Sequence, residues 1–160
     1  MKKVDITTSY TVYDSLLALN EDEKNVMKKA IEMLKSAYAP YSNFFVGAAA
    51  MTNSGAIYGG CNQENASYPL CICGERVALF NAGANEPHIP IKMLAIACHN
   101  PNKPVEDPAS PCGACRQVIS EFEQRHQQSY PILIKGDSDK IIKINSSGDL
   151  LPLGFNGSFL

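Results

Sequence analysis

Two short words constrain this chain more than anything else in it: Cys73-Gly74-Glu75 and Pro111-Cys112-Gly113-Ala114-Cys115. Each opens a segment of helical character. Cys112 and Cys115, three residues apart, fall on one face of a first helical turn. Cys73 enters from the start of another helix. A fold that satisfies both words must aim two helix N-termini at one point, where three soft ligands converge. Zinc is the expected metal for such a set. Three protein ligands leave the fourth tetrahedral position open for water, the pattern of a catalytic zinc. Three thiolates overcompensate the charge of Zn2+, so positive groups have to sit nearby. Each helix N-terminus supplies roughly half a positive charge. Arg76, two residues after Gly74, adds a full one as a donor to thiolate. Glu75 is placed to shuttle a proton from an activated water to a leaving group.

The remaining composition narrows the class. The chain has 160 residues, 45% of them apolar and 19% charged, with a net charge of −2, as expected of one globular domain over 1–160. A nucleic acid polymer is excluded as partner, because basic residues never run beyond pairs such as Lys2-Lys3 and Lys28-Lys29. No apolar segment follows the first residues, and the longest, 44–51, is too short to span a membrane. The expected location is cytoplasmic. Six cysteines in such a chain point to metal or catalysis before disulfides. Cys61 and Cys98 fall in apolar strands and read as core. His88, His99 and His126 read as surface, with His99 set apart because it ends a strand. Two blander readings stand beside the catalytic one. Cys112-x-x-Cys115 alone fits a redox pair or a structural knuckle. Cys71 with the three other thiols could close a four-cysteine structural site.

The periodicities predict an extended arm over 1–19 with a strand at 10–13. A helix follows over 21–38, capped by Asn20 with Glu23 three residues on and ended by Pro40. Strands at 44–51 and 56–61 flank an Asn53-Ser54-Gly55 turn. A helix over 73–82, stopped by Gly83, leads to a buried strand at 92–98. Residues 99–111 read as a loop, 113–125 as a helix, and 130–135 and 140–144 as strands across a Gly136-Asp137 turn. A turn-rich tail begins at 149. The order gives an α/β fold, a three-layer α/β/α sandwich around a mixed sheet of about five strands.

Cys73-x-Glu75 with Pro111-Cys-x-x-Cys115 resembles the zinc motif of the cytidine and deoxycytidylate deaminases. Three further segments match in the family's order. Ala39-Pro40-Tyr41-Ser42-Asn43-Phe44-Phe45-Val46-Gly47-Ala48-Ala49 is similar to its N-terminal signature. Gly60-Cys61-Asn62-Gln63-Glu64-Asn65-Ala66-Ser67-Tyr68 is similar to its nucleoside-binding segment. Leu150-Leu151-Pro152 with Phe155 resembles its C-terminal aromatic motif. The resemblance implies hydrolytic deamination of cytidine and deoxycytidine, with one Zn2+ per chain on Cys73, Cys112 and Cys115. It makes Glu75 the proton shuttle. It places Asn62 and Glu64 on the ribose, Phe44 against the pyrimidine, and Gly74 with its backbone N–H on the base carbonyl. It puts Ala66 among the nucleoside contacts and Arg76 behind the thiolates. Three cysteines without histidine, at this length, resemble the homotetrameric branch, in which Tyr68 and Phe155 would line a neighbour's site. Gly74 stands where that family usually has Ala, Val77 where Thr is common, and Phe45 where Pro or a polar residue is frequent. Glu64 and Glu75 together make a negative pocket, and no Walker-type phosphate loop is present. A nucleoside therefore fits better than a nucleotide. A zinc-stapled interaction module has no use for Glu75. Blasticidin-type and guanine-type deaminases have no use for Asn62-x-Glu64.

Overall fold

The apolar run in the middle of the chain forms strand β2 (Phe45–Thr52), and its alternation builds two cores at once. Ala48 and Ala50 join Leu94, Ile96, Ile132 and Ile134 on one face. Ala49 and Met51 join Met93, Ala95 and Leu133 on the other. A strand covered on both faces needs apolar residues at every position, with a period of two deciding which core each enters. In the computed structural model, which describes residues 1–160, helices cover both faces. α1 (Glu21–Met33) lies on one. α2 (Gly74–Asn85) and α3 (Gly113–His126) lie on the other.

The strands are β1 (Tyr10–Tyr13), β2, β3 (Ile57–Cys61), β4 (Ile91–His99), β5 (Ile132–Lys135) and β6 (Ile141–Ile144), in the order β1-β6-β5-β4-β2-β3. Only β4 and β5 are parallel, joined by a crossover through α3. A short α4 (Ser147–Leu150) precedes the tail. The three-layer mixed sandwich is therefore as expected, with six strands rather than five. The sixth is the strand expected at 10–13 in the arm, which joins the sheet by pairing with β6 in register Tyr10↔Ile144 to Tyr13↔Ile141. No helix is long and apolar enough to cross a membrane.

The predicted cap of α1 is present in both directions. Asn20 accepts from the Glu23 N–H and Glu23 from the Asn20 N–H, each at 3.0 Å. Glu23 also receives Lys143 of β6 at 2.7 Å, which fixes the helix to the sheet. Local signals did less well at the other ends. α1 stops at Met33 and closes with one 3-10 turn, Leu34–Ser36, so Tyr38 is not helical and Pro40 ends nothing. The cause is tertiary: the Tyr38 N–H donates to Asn62 O at 3.0 Å, and Tyr38 O accepts from the Glu64 N–H at 2.8 Å. Gly83 does not stop α2, which runs on to Asn85. A Cβ there would already meet Phe122 of α3 at 3.1 Å, so Gly83 is a packing position. Within the arm, Leu16–Ala18 turns once instead of staying extended. The tail makes a 3-10 turn, Gly157–Phe159.

One contact places α2. A Cβ on Gly60 would lie 2.3 Å from Ala78 N and 2.8 Å from Gly74 O. Hydrogen at that position lets the first turn of α2, which carries Glu75, rest directly on β3. Gly60→Ala is expected to cost about 1–3 kcal/mol through overpacking. The urea midpoint should fall with the slope unchanged. An unchanged midpoint would contradict this close approach.

Candidate active site and metal centre

Both ligand words fold as N-termini for a local reason. Cys73 and Cys112 are the N-cap residues of α2 and α3, with extended backbone at φ −80° and −66°. Neither side chain caps its own helix, so both thiols are free to point elsewhere. Cys115 lies in the first turn of α3 and is fully buried. The three Sγ atoms all lie within 4.8 Å of one another. Cys73 and Cys112 are 3.9 Å apart, and Cys112 and Cys115 3.5 Å. A tetrahedral zinc with Zn–S bonds of about 2.3 Å spaces its sulfurs about 3.8 Å apart, so the set fits zinc as it stands. Cys71 is not a fourth ligand. Its Sγ accepts from the Asn65 N–H at 3.2 Å and contacts Asn65 O at 3.6 Å, on the neighbouring segment. The four-cysteine structural site is thereby set aside.

The electrostatics suit a metal. The neighbouring Cys115 thiol, then Arg76 and Cys112, pull the Cys73 thiol down to about 5, against the effect of burial. The proximity of Cys73, together with burial, pushes Cys115 far above the ordinary thiol range. Arg76 sits where the charge argument required a cation, with Nη2 at 3.9 Å from Cys73 Sγ and 3.4 Å from Cys71 O.

Glu75 is 5% exposed, and its Oε2 has no hydrogen-bond partner. Burial raises its carboxyl above the usual range. Cys73 adds to this, against the pull of its own N–H, of Cys115 and of Arg76. An orphaned, buried carboxylate oxygen costs stability, and keeping one points to a chemical use.

These groups face one cavity of about 410 Å3, within the range of about 300–1,000 Å3 for small-molecule sites. Cys73, Cys112, Glu75, Phe44, Asn62 and Glu64 all line it. No lysine or arginine does. Glu64 is held by the Tyr41 N–H at 2.9 Å, the Ser42 N–H at 3.3 Å and the Ser42 hydroxyl. The Ser42 hydroxyl first, then the two N–H groups, hold its carboxyl below its ordinary value. Asn62 donates to Phe44 O and accepts from the Val46 N–H, each at 2.8 Å, so it also fixes the backbone that presents Phe44. Gly74 is buried at the start of α2, where a Cβ would meet Val46 O at 3.0 Å.

Six expected residues do not line this cavity: Cys115, Gly74 and Arg76, which belong to the helix starts at the thiol cluster, and Ala66, Tyr68 and Phe155. Ala66 is exposed. Tyr68, 68% exposed, lines a side recess with Tyr41, Ser42, Glu64 and Cys71. Phe155, 56% exposed, stacks on Phe159 and is held through its carbonyl by Gln117 at 3.0 Å. Several lining residues had not been singled out. Ser42 sat within a recognised segment. Cys98, read only as core, shares its face of β4 with Ile96, which the strand period shows. Ala109 and Ser110 come from the irregular loop and carried no local signal. His99 binds Asp137 and is no ligand. A larger groove of about 570 Å3, between the arm and β6, holds none of the thiols and not Glu75.

Comparison with known proteins agrees with the geometry. The family described as "Cytidine and deoxycytidylate deaminase zinc-binding region" matches residues 20–128. A cytidine deaminase of Sporosarcina psychrophila is 38% identical over 135 residues, covering 84% of this chain and 92% of that protein. One from Halalkalibacterium halodurans is 37% identical over 134 residues, covering 84% and 94%. Among solved structures, cytidine deaminase from Burkholderia pseudomallei superposes with a TM-score of 0.69 at 40% identity, covering 82% of this chain and 97% of that one.

Because Cys115 holds its proton near neutral pH, metal binding has to expel it. Zinc titrated into the metal-free protein near neutral pH should give a heat that varies with the buffer's ionisation enthalpy. Zinc affinity should fall as pH falls. A heat independent of buffer would contradict the shared-proton arrangement.

Proposed function

This chain belongs to the cytidine and deoxycytidylate deaminase family, and from that premise we propose that it hydrolyses cytidine and deoxycytidine to uridine and deoxyuridine plus ammonia. The observation that carries this reading is the unpartnered Glu75 carboxylate, buried beside a three-thiol cluster in a nucleoside-sized cavity.

Cys73, Cys112 and Cys115 would hold one zinc per chain. Zinc bound there supplies a Lewis acid that lowers the pKa of water. Glu75 takes one proton from the attacking water and delivers it to N3 of the pyrimidine, then takes the second from the hydroxyl added at C4 and delivers it to the leaving amine as the C4–N bond breaks and C4=O forms. Its burial suits this work, since raising a carboxyl above its usual range makes it a better proton acceptor. Phe44, fixed by Asn62, lies against the base. The Gly74 N–H, at the start of α2, meets the base carbonyl. Asn62 and the ionised Glu64 take the ribose hydroxyl. With two acids and no cation in the wall, a 5′-phosphate is disfavoured, so the substrate is a nucleoside rather than a nucleotide.

We further read the chain as a homotetramer in which Tyr68 and Phe155 complete a neighbour's cavity and Ala66 contacts substrate. The support is that both aromatics are exposed and neither lines the cavity of its own chain. A cytoplasmic location fits a ligand set made of reduced thiols, with all six cysteines free.

Purified protein should consume cytidine, followed by the loss of its absorbance. Glu75→Gln should retain zinc while kcat falls by about 10²–10⁴ or more. A wild type that binds zinc yet leaves cytidine and deoxycytidine unchanged would overturn the substrate assignment.

A further inference from the structure

The loop over 100–112 has no regular secondary structure, yet it carries Ala109 and Ser110 into the cavity wall and ends on Cys112. Loops of about 12–15 residues are uncommon in compact domains and need anchors to hold one shape. This one is fastened to the turn between β5 and β6. The Asp137 Oδ2 accepts from the Val105 N–H at 2.7 Å, and the Asp137 N–H donates to Val105 O at 2.8 Å. Asp137 Oδ1 accepts from His99 Nδ1 at the end of β4. A Cβ on Gly136 would lie 2.2 Å from Val105 O, so a residue without one is what lets the turn come this close. Ser138 Oγ adds a bond to Glu106 O at 2.7 Å, and Lys140 one to Asp107 at 2.8 Å.

These fastenings are unequal. The Lys140–Asp107 pair is 47% and 87% exposed and contributes little. Asp137 is 23% exposed and makes charge-assisted bonds to two separate segments, which are the stronger kind. Burial alone would raise its carboxyl, but the Val105 N–H, His99 and the Asn100 N–H outweigh it and hold it below the ordinary value. The far end of the loop is held separately. Arg116 donates from Nε to Pro111 O and from Nη1 to Leu150 O, both at 2.8 Å. Cys112, next to Pro111, therefore keeps its place without help from Asp137.

We propose that Asp137 is a positioning residue for the substrate cavity: through Val105 it sets the 105–110 stretch so that Ala109 and Ser110 form the wall against which the nucleoside binds. This rests on the cavity being the nucleoside site. Asp137 touches neither substrate nor metal, so its loss should weaken binding and leave chemistry intact.

The test compares wild type with Asp137→Ala and Asp137→Asn. Three quantities are read: KM and kcat for cytidine, zinc per chain, and hydrogen exchange of the amides at 105–110. Asp137→Ala should raise KM about tenfold, the cost of a lost charged hydrogen bond. Its kcat should stay within about twofold of wild type, with zinc unchanged, because transition-state contacts are untouched. Exchange at 105–110 should quicken. Asn can still accept from the Val105 N–H, though without charge assistance, so Asp137→Asn should recover part of both, with a KM and protection between those of wild type and Asp137→Ala. If Asp137→Ala does not accumulate folded, Asp137→Glu, which displaces the carboxylate by one methylene, carries the same expectation. An unchanged KM would overturn the proposal. So would a fall in kcat and zinc at constant KM, or an Asn variant as impaired as Ala. A wild type inert on cytidine would instead overturn the functional reading, and exchange alone would then decide whether Asp137 anchors the loop.

Discussion

Everything at this site depends on bringing three thiols and a carboxylate to one place without tearing the fold apart. Like charges that close, in a partly buried setting, repel strongly. The chain answers with geometry. Cys73 and Cys112 occupy the N-cap positions of α2 and α3, so the positive ends of both helices meet at the cluster. Arg76 reaches back to Cys73 from the same first turn. Cys115 keeps a proton that Cys73 has given up, so the metal-free cluster carries less charge than its thiols could hold. Zinc completes the same logic by replacing a shared proton with a divalent cation.

The sheet exists, in this light, to hold two helix starts in register. Small residues do much of that work. Alanines along β2 feed both cores, and Gly60 lets the α2 backbone rest on β3. The β4-α3-β5 crossover then delivers α3 to the same sheet face as α2. Cavity-lining groups come from the strand ends beside these helices. Asn62 bonds the backbone of Phe44 and Val46, and the backbone of Tyr41 and Ser42 holds Glu64, so these side chains are hydrogen-bonded in place on the cavity wall.

What could be read in the sequence was what local rules determine. The spacing of Cys112 and Cys115 places two thiols on one helical turn, and the Asn20-Glu23 box marks a helix start. Both are local statements, and both hold. The end of α1 could not be read, because Asn62 and Glu64 claim the Tyr38 backbone from far along the chain. Gly83 looked like a stop signal, but packing against Phe122 decides it. The arm strand was a weak local signal, and pairing with β6 makes it a sixth strand. The wall residues Ala109 and Ser110 gave no signal at all, since contacts more than thirty residues distant place their loop.

The central claim is an open, three-thiolate zinc beside a free carboxylate, and the zinc-edge X-ray absorption spectrum of the purified protein addresses it most directly. The account predicts three sulfur neighbours at about 2.3 Å and one oxygen neighbour at about 2.0 Å. A shell of four sulfurs would contradict it, because the position reserved for water would then be filled and Glu75 would face a closed metal.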